Sequence, residues 1–192
     1  AFAHYFLGQP QKGFSALHTA QDFAGPNPDP KVRGPIEHHL GYMLLHQGKY
    51  AEALRHQQEA LHCHQMCQDF NGTAWAELDL GFLHLKLGHF RESKTHLEQS
   101  LQLALRISAQ PAEVYARTYI GYWKLYQGDY HSAIEYFRQT IALHCALLQE
   151  HGAVAAEIGW GFALYHLGEI SEARARFQNA VDRSRGVIHR RR

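Results

Sequence analysis

The stretch LGFLHLKLGHFRES at residues 80–93 decides the fold, because it recurs at intervals of forty residues. The other copies are LGYMLLHQGKYAEA at 40–53, IGYWKLYQGDYHSA at 120–133 and WGFALYHLGEISEA at 160–173. Each copy has a glycine before an aromatic residue and a second glycine seven residues later. An aromatic residue or isoleucine and then a small residue follow at fixed distances. Four copies without a slip in spacing indicate an internal structural repeat.

Each copy predicts a helix–turn–helix. Glycine inside a helix costs about 1 kcal/mol relative to alanine, so the first glycine predicts close approach of another helix. The second glycine predicts a helix end, where a left-handed cap residue is favoured. Breaks between hairpins are predicted at Asn71-Gly72, Pro111 and Gly152. The first helices are expected near 35–47, 73–87, 112–127 and 153–167, and the second helices near 50–69, 90–108, 130–149 and 170–186.

Apolar stripes predict the faces that pack within each hairpin. On the first helices the stripe comprises Leu40, Met43, Leu80, Leu83, Ile120, Trp123 and Trp160. On the second helices it begins with the small residues Ala53, Ser93, Ala133 and Ala173 and continues with Leu61, Leu101, Ile141 and Val181. Because a single helix of this length is marginally stable in water, each hairpin is expected to depend on its neighbours.

The recurring residues resemble the tetratricopeptide repeat over essentially the whole chain. They are the pairs Leu40-Gly41, Leu80-Gly81, Ile120-Gly121 and Trp160-Gly161, the turn glycines, the aromatics after them and the small residues of the second helices. The resemblance implies an all-α fold: a right-handed α-solenoid of antiparallel helix pairs (a TPR-like superhelix), with about four full repeats plus a partial N-terminal one. The forty-residue period exceeds the family's usual 34. Such arrays are similar to those in large bacterial signalling ATPases and transcriptional activators.

We expect a single solenoid over 1–192. Its parts are a partial repeat at 1–24, a Pro-rich loop at 25–33, repeats at 34–72, 73–110, 111–151 and 152–186, and a basic tail at 187–192. Three prolines in Gly25-Pro26-Asn27-Pro28-Asp29-Pro30 predict a stiff loop, because proline interrupts a helix. Counting the period backwards puts Ala1 at a mid-helix position and Gly8 at a turn. We therefore expect a piece of a longer array, or ends that a partner covers.

The resemblance implies a concave side lined by the first helices, which the family uses for binding. One stripe of these helices carries aromatic residues with a rim of histidine and lysine. It predicts a groove for a protein segment or peptide formed by Trp75, Tyr115, Tyr119, Tyr126, Tyr165, Tyr42, Phe82, Tyr122, Phe162, His38, His46, Lys86 and His166. For the four aromatics that follow the glycines, the alternative is packing between successive first helices.

Composition excludes several classes of protein. The 192 residues are 45% hydrophobic with a net charge of +1, typical of a folded chain. No apolar run approaches the roughly 20 residues that span a bilayer, so we expect no membrane and a cytoplasmic location. Three cysteines do not suggest a disulfide framework. The five arginines at 183–192 form a short tail rather than a basic face, so no nucleic-acid partner is predicted.

No cofactor, metal or catalytic site is predicted. The densest cluster of metal-ligand residues is His56, His62, Cys63, His64 and Cys67. Cys63 and Cys67 align with apolar residues of the later repeats, which favours burial as small hydrophobes. For Cys145, no base or cationic pocket can be assigned, so a nucleophile is unsupported.

The sequence therefore predicts an interaction module rather than an enzyme, the sensor or scaffold part of a larger bacterial signalling or regulatory protein. One alternative is self-assembly through the array ends, with Phe177 and Val181 at the interface. Another is a small-molecule receptor that uses the same aromatic groove.

Overall fold

Helices dominate the structure, a computed structural model that describes the backbone of residues 9–189 and the side chains of residues 9–185. This part of the chain contains no strand. Its nine helices are α1 (Pro10–Ala24), α2 (Pro30–His46), α3 (Tyr50–Met66), α4 (Phe70–Lys86), α5 (Phe90–Arg106), α6 (Gln110–Tyr126), α7 (Tyr130–Ala146), α8 (Glu150–His166) and α9 (Ile170–His189). Among these described helices, none is long and apolar enough to cross a membrane.

Helices α2 to α9 begin at regular intervals of twenty residues, half the sequence period. From α2 to α8 each helix has 17 residues and is followed by a three-residue turn. The hairpin and the connection between hairpins therefore have the same length. The all-α fold of antiparallel helix pairs predicted from the sequence is confirmed.

Glycine closes the turn inside each hairpin. Gly48, Gly88, Gly128 and Gly168 have φ between 76° and 83°, the left-handed region that favours glycine. At the first of them, Gly48 N–H donates to Leu45 O at 3.0 Å and Lys49 N–H donates to Leu44 O at 3.0 Å. These bonds satisfy the last carbonyls of α2, as the predicted left-handed cap requires.

The turns between hairpins have the same geometry without glycine. Gln68, Ser108 and Leu148 have φ of 54°, 56° and 56°, and Asp69 N–H donates to His64 O at 2.9 Å. The predicted breaks at Asn71-Gly72, Pro111 and Gly152 are therefore wrong, because these residues lie in the first turns of α4, α6 and α8.

Gly72 and Gly152, two of the residues predicted as helix breaks, instead allow close packing against the preceding helix. A methyl group at Gly72 would collide with the ring of His64, and one at Gly152 with the ring of His144. His64 and His144 occupy equivalent repeat positions, where α5 has Ala104. Each histidine is thus matched by a glycine eight residues later, which explains glycine inside these helices.

The proline-rich segment is shorter than predicted. The loop between α1 and α2 ends at Asp29, so residues 30–33 of the expected loop are helical. Pro30 is tolerated because the first helical position needs no N–H donor. The Asp29 carboxylate accepts a hydrogen bond from Lys31 N–H at 2.8 Å and caps the helix. The predicted turn at Gly8 lies outside the described residues, as do residues 190–192 of the predicted basic tail.

The chain divides into two compact units, residues 1–108 (unit 1) and 109–192 (unit 2). In unit 1 the predicted core residues Leu40, Met43, Leu80 and Leu83 are buried. In unit 2 Phe137 is fully buried among Ala133, Ala156 and Ala163, and Tyr122 and Trp160 pack against this cluster.

The buried stripe of the second helices agrees only in part with the predicted one. Leu61, Leu101 and Ile141 are only partly buried, and Val181 is exposed, so its predicted burial is wrong. The buried stripe contains many small or polar residues: Ala53, Gln57, Ala60 and His64 on α3, Ser93, Leu97, Ser100 and Ala104 on α5, and Ala133, Phe137, Thr140 and His144 on α7. The predicted burial of the small residues is therefore confirmed, whereas of the larger apolar residues Ile141 packs against the unit 2 cluster and Val181 is exposed.

Candidate binding surfaces and a buried polar centre

A cleft of about 410 Å³ lies in unit 1, where the C-terminal ends of α2 and α4 meet the start of α3. Its lining includes three residues of the predicted groove, His46, Phe82 and Lys86. The remaining lining residues are Leu45, Gln47, Gly48 and Tyr50. The cleft therefore combines aromatic and aliphatic walls with cationic or titratable side chains at its edge.

Packing beneath the cleft fixes its walls. Leu45 is buried with Leu44, Ala53 and Leu83, and Phe82 and Tyr50 pack against this cluster. The turn at Gly48 brings Tyr50 of α3 beside the end of α2. A wall held by the core needs little reorganisation when a ligand binds, which favours affinity.

The polar edge of the cleft lies over aromatic rings. Lys86 Nζ is 5.0 Å from the centroid of the Phe82 ring, a cation–π distance. The ring of His46 is 4.4 Å from that of Tyr42. His46 and Lys86 are both exposed, while Tyr42 and Phe82 are half-buried. An anionic group of a ligand would meet positive charge here while its apolar neighbour contacts the rings.

Unit 2 has a separate exposed aromatic surface. Tyr126, Phe162 and Tyr165 are 51%, 46% and 56% exposed. His166 stacks on Tyr130 with the ring centroids 5.0 Å apart and the planes 4° from parallel. Large aromatics exposed to this degree are typical of contact surfaces rather than of a core.

Three other predicted groove tyrosines take part in packing within unit 2. Tyr122 O–H donates to Ala155 O at 2.6 Å, and its ring lies 5.1 Å from that of Phe137. Burial raises the pKa of Tyr122 well above its usual range. At this position the structure favours the alternative of packing between successive first helices. Tyr115, whose pKa burial also raises, lies 4.7 Å from the His144 ring and 6.4 Å from that of Tyr119.

The remaining predicted groove residues in unit 1 are Trp75 and His38. Trp75 is half-buried on α4. The structure corrects the expected position of His38, whose side chain is only 16% exposed and points into the interface of α2, α3 and α4. The reason is a set of polar partners buried at that point.

This polar centre consists of His38, Gln57 and Asp79. The Gln57 amide donates to Asp79 Oδ2 at 2.9 Å and to the His38 carbonyl at 3.1 Å. Gln57 Oε1 lies 3.1 Å from His38 Nδ1, which therefore donates, because an amide oxygen only accepts. His38 Nε2 lies 3.9 Å from Asp79 Oδ2, too far for a hydrogen bond.

Burial controls ionisation in this centre. It raises the pKa of the Asp79 carboxyl to about 8, although the hydrogen bond from Gln57 acts in the opposite direction. It lowers the pKa of His38 to about 4, with His39 and His64 acting in the same direction. Both side chains are therefore neutral at neutral pH or slightly below it.

Sequence reasoning missed this centre, although the repeat alignment contains its signal. Gln57 occupies the position of Leu97, Phe137 and Phe177 in the other hairpins. A lone glutamine in a column of large apolar residues predicts a buried polar partner. Tyr50 and Tyr130, which border the two surfaces, were likewise missed because they were assigned to packing.

Within the described residues, no three His, Cys, Asp or Glu side chains are placed to hold one metal ion. Cys63 is buried as predicted, and burial together with Glu59 raises the pKa of its thiol to about 11. The expectation that Cys145 has no cation nearby is wrong, since Arg183 Nη1 lies 3.1 Å from its sulfur. The same guanidinium also lies 3.6 Å from Glu150 and 3.7 Å from Glu157.

Phe177 and Val181, the two residues predicted for self-assembly, have different surroundings in α9. The ring of Phe177 would meet a methyl group at Gly161 and lies 5.3 Å from Phe162, so it contributes to the α8–α9 hairpin. Val181 is 41% exposed.

Family models identify the repeats. A tetratricopeptide repeat model matches residues 33–106 and 72–146, and a second one matches residues 124–188. A search of curated proteins finds no match.

Solved structures of the same architecture are distant in sequence. BtubC from P. vanneervenii has a TM-score of 0.67 and 16% identity, covering 96% of this chain and 76% of its own. A Rap conjugation gene regulator of the plasmid pLS20, solved with a Phr peptide, has a TM-score of 0.83 and 14% identity. The match covers 96% of this chain and 51% of the regulator. A Rap protein complexed with Competence and Sporulation Factor has a TM-score of 0.73 and 16% identity, and the match covers 83% of this chain and 44% of the Rap protein. The chain thus spans about half the length of these two Rap proteins, and the likeness concerns the fold.

Proposed function

Because this chain belongs to the tetratricopeptide repeat family, whose repeats are protein-interaction modules, we propose that it binds a peptide or protein segment through the cleft of unit 1. The observation that carries the proposal is the convergence of His46, Phe82 and Lys86 on one cleft beside Tyr50. We assign no reaction to the chain, and its role is that of a sensor or scaffold in a bacterial signalling protein.

The chemistry of the cleft defines the segment that fits it. Phe82, Tyr50 and Leu45 offer apolar contact for one large side chain. Lys86 and His46 lie at the edge, so a carboxylate next to that side chain gains a charge interaction. The preferred ligand is therefore an apolar or aromatic residue beside Asp, Glu or a chain terminus. That two of the structural neighbours were solved with peptide or factor ligands supports a peptide as the class of partner.

Unit 2 adds a second contact surface in this proposal. Tyr126 and Tyr165 are the most exposed tyrosines of the predicted groove in this unit, and aromatic side chains of this kind often dominate binding energy. Tyr122 is omitted from the contact set because its hydroxyl and ring are used in packing.

A display library of random peptides, selected on the full chain, tests the proposal. We expect enrichment of peptides with an aromatic residue next to an acidic one. Lys86→Glu should weaken selected peptides about tenfold or more at low salt, because it reverses a charge at the cleft. Lys94→Glu, which makes the same change in net charge on the exposed face of α5, is the matched control and should leave affinity within about twofold.

Phe82→Leu tests the apolar wall while it keeps most of the buried volume. We expect a loss of about threefold to tenfold in affinity with helical content unchanged. Failure to select any peptide, or equal binding by wild type, Lys86→Glu and Phe82→Leu, would exclude the cleft as the binding site.

A further inference from the structure

The centre formed by His38, Gln57 and Asp79 joins three helices without a strong internal ion pair. His38 belongs to α2, Gln57 to α3 and Asp79 to α4. Gln57 is fully buried and Asp79 is 4% exposed. The Gln57 amide donates a hydrogen bond to the Asp79 carboxyl, and the imidazole of His38 is beyond hydrogen-bond distance of it. A carboxylate held this way lacks most of the solvation that it has in water.

We propose that this centre makes unit 1 a pH-sensitive element. With Asp79 protonated and His38 neutral, the centre holds α2, α3 and α4 together. When Asp79 loses its proton as the pH rises above neutrality, the buried charge weakens the packing of these three helices. The cleft formed by α2 and α4 then loses its fixed walls and binds its peptide more weakly. This effect on binding rests on the proposed function, whereas the change in the stability of unit 1 is independent of it.

The direction of the effect follows from proton uptake. An unfolded Asp is ionised above about pH 4, whereas burial keeps the folded pKa of Asp79 at about 8. Between these values the folded chain holds one more proton, so this contribution to stability falls as the pH rises. His38 acts in the opposite sense between its folded pKa of about 4 and its unfolded value of 6.5. The two contributions oppose each other between about pH 4 and 6.5, and that of Asp79 dominates between 6.5 and 8.

Several other titratable groups near the centre have polar partners of their own. Glu37 of α2 lies 2.6 Å from His56 of α3, and Glu77 of α4 lies 2.6 Å from His96 of α5. The remaining contacts join His64 to Asp69 at 2.8 Å, His39 Nδ1 to Pro35 O at 2.6 Å and Arg33 to Glu59 at 3.1 Å. Burial, His96 and His89 lower the pKa of His84 of α4, so this group acts in the opposite direction to Asp79.

Hydrogen exchange of the full chain, read by mass spectrometry at pH 6.5 and 8.0, tests the proposal. After correction for the intrinsic exchange rate, we expect protection of α2, α3 and α4 to fall about tenfold between the two pH values. Protection of α6, α7 and α8 should change by less than about twofold, because Phe137 occupies the position equivalent to Gln57. Unchanged protection of α2 to α4 in the wild type overturns the proposal.

Asp79→Asn is the matched variant, since the amide resembles the protonated acid and cannot ionise. Its protection in α2 to α4 should be the same at both pH values, and a tenfold fall there would overturn the proposal. If the variant does not fold, a carbon-13 NMR titration of the wild-type Asp79 carboxyl replaces it. A midpoint near pH 8 supports the proposal, and a midpoint below about 5 contradicts it.

Peptide affinity measured at the same two pH values separates this proposal from the proposed function. A fall in protection without a fall in the affinity of selected peptides rejects the cleft as the binding site and leaves the pH-sensitive centre intact. A fall in neither rejects the centre.

Discussion

The first hairpin of unit 1 (α2 and α3) and the first hairpin of unit 2 (α6 and α7) fill the same position of the repeat with opposite chemistry. In unit 1, Gln57 covers Gly41, and its Cγ would lie 2.8 Å from a methyl group added there. In unit 2, Phe137 covers Gly121, and its ring would lie 3.0 Å from such a methyl group. The glycine therefore makes room for a large side chain of the second helix, whether that side chain is polar or apolar.

The residue on the next first helix is matched to this side chain. Twenty-two residues after Gln57, Asp79 accepts its hydrogen bond. Twenty-two residues after Phe137, Gly159 leaves room for the ring, and a methyl group there would collide with it. Gln57 is paired with a hydrogen-bond acceptor, Asp79, and Phe137 with a residue that leaves space for its ring, Gly159. The two positions therefore act as a pair.

Phe137→Ala should produce the largest effect, because the ring fills the space beside both Gly121 and Gly159. We expect the free energy of unfolding to fall by about 3–5 kcal/mol, as for other fully buried phenylalanines. Urea unfolding followed by circular dichroism measures it, with Phe137→Leu as the control that retains more of the volume. A loss below about 1 kcal/mol for Phe137→Ala would show that the neighbours close the cavity.

Gln57→Phe should also be strongly destabilising, and Asp79→Gly should restore much of the loss. The single change leaves a buried carboxyl without its donor and places a ring against it, costing about 2–4 kcal/mol. The double variant reproduces the unit 2 pair, so we expect recovery of at least about half of the loss. Urea unfolding of both single variants and the double variant gives the coupling energy, and purely additive effects would disprove the pairing.

The turns offer a smaller contrast. The left-handed residue is glycine in the turns within hairpins, whereas it is Gln68, Ser108 or Leu148 in the turns that connect one hairpin to the next. Leu148 has φ of 56° and is 79% exposed, so its side chain gains little while its backbone is strained. Leu148→Gly should therefore raise the free energy of unfolding by about 0.5–1 kcal/mol. Gly128→Ala should lower it by about 1 kcal/mol, because φ there is 78°. Thermal unfolding of the two variants measures both signs, and a less stable Leu148→Gly would show that Leu148 makes contacts that outweigh the strain.

The forty-residue spacing was enough to predict helix pairs, the turn glycines and the core residues of α2 and α4. The helix ends were missed at 67–69, 107–109 and 147–149, because the left-handed residues there are Gln, Ser and Leu rather than glycine. Gly72 and Gly152 were misleading for a related reason, since they stand opposite His64 and His144. Such matches depend on which side chains meet across helices, and that information becomes available only when the helices are placed.

The residues of the candidate surfaces also include some that could be predicted from the sequence and some that could not. The exposed positions His46, Lys86, Tyr126 and Tyr165 followed from helical spacing, because they fall outside the stripe of the first helices that packs in the core. The inward position of His38 did not follow, since it depends on Gln57 and Asp79 of two other helices.

The most direct test of peptide binding in the cleft is a hydrogen-exchange footprint of the full chain with a selected peptide bound. We predict added protection at residues 45–50 and 82–88, where the cleft residues of α2, α3 and α4 lie. A footprint confined to the exposed faces of α3 and α5, with both segments unchanged, would contradict the account.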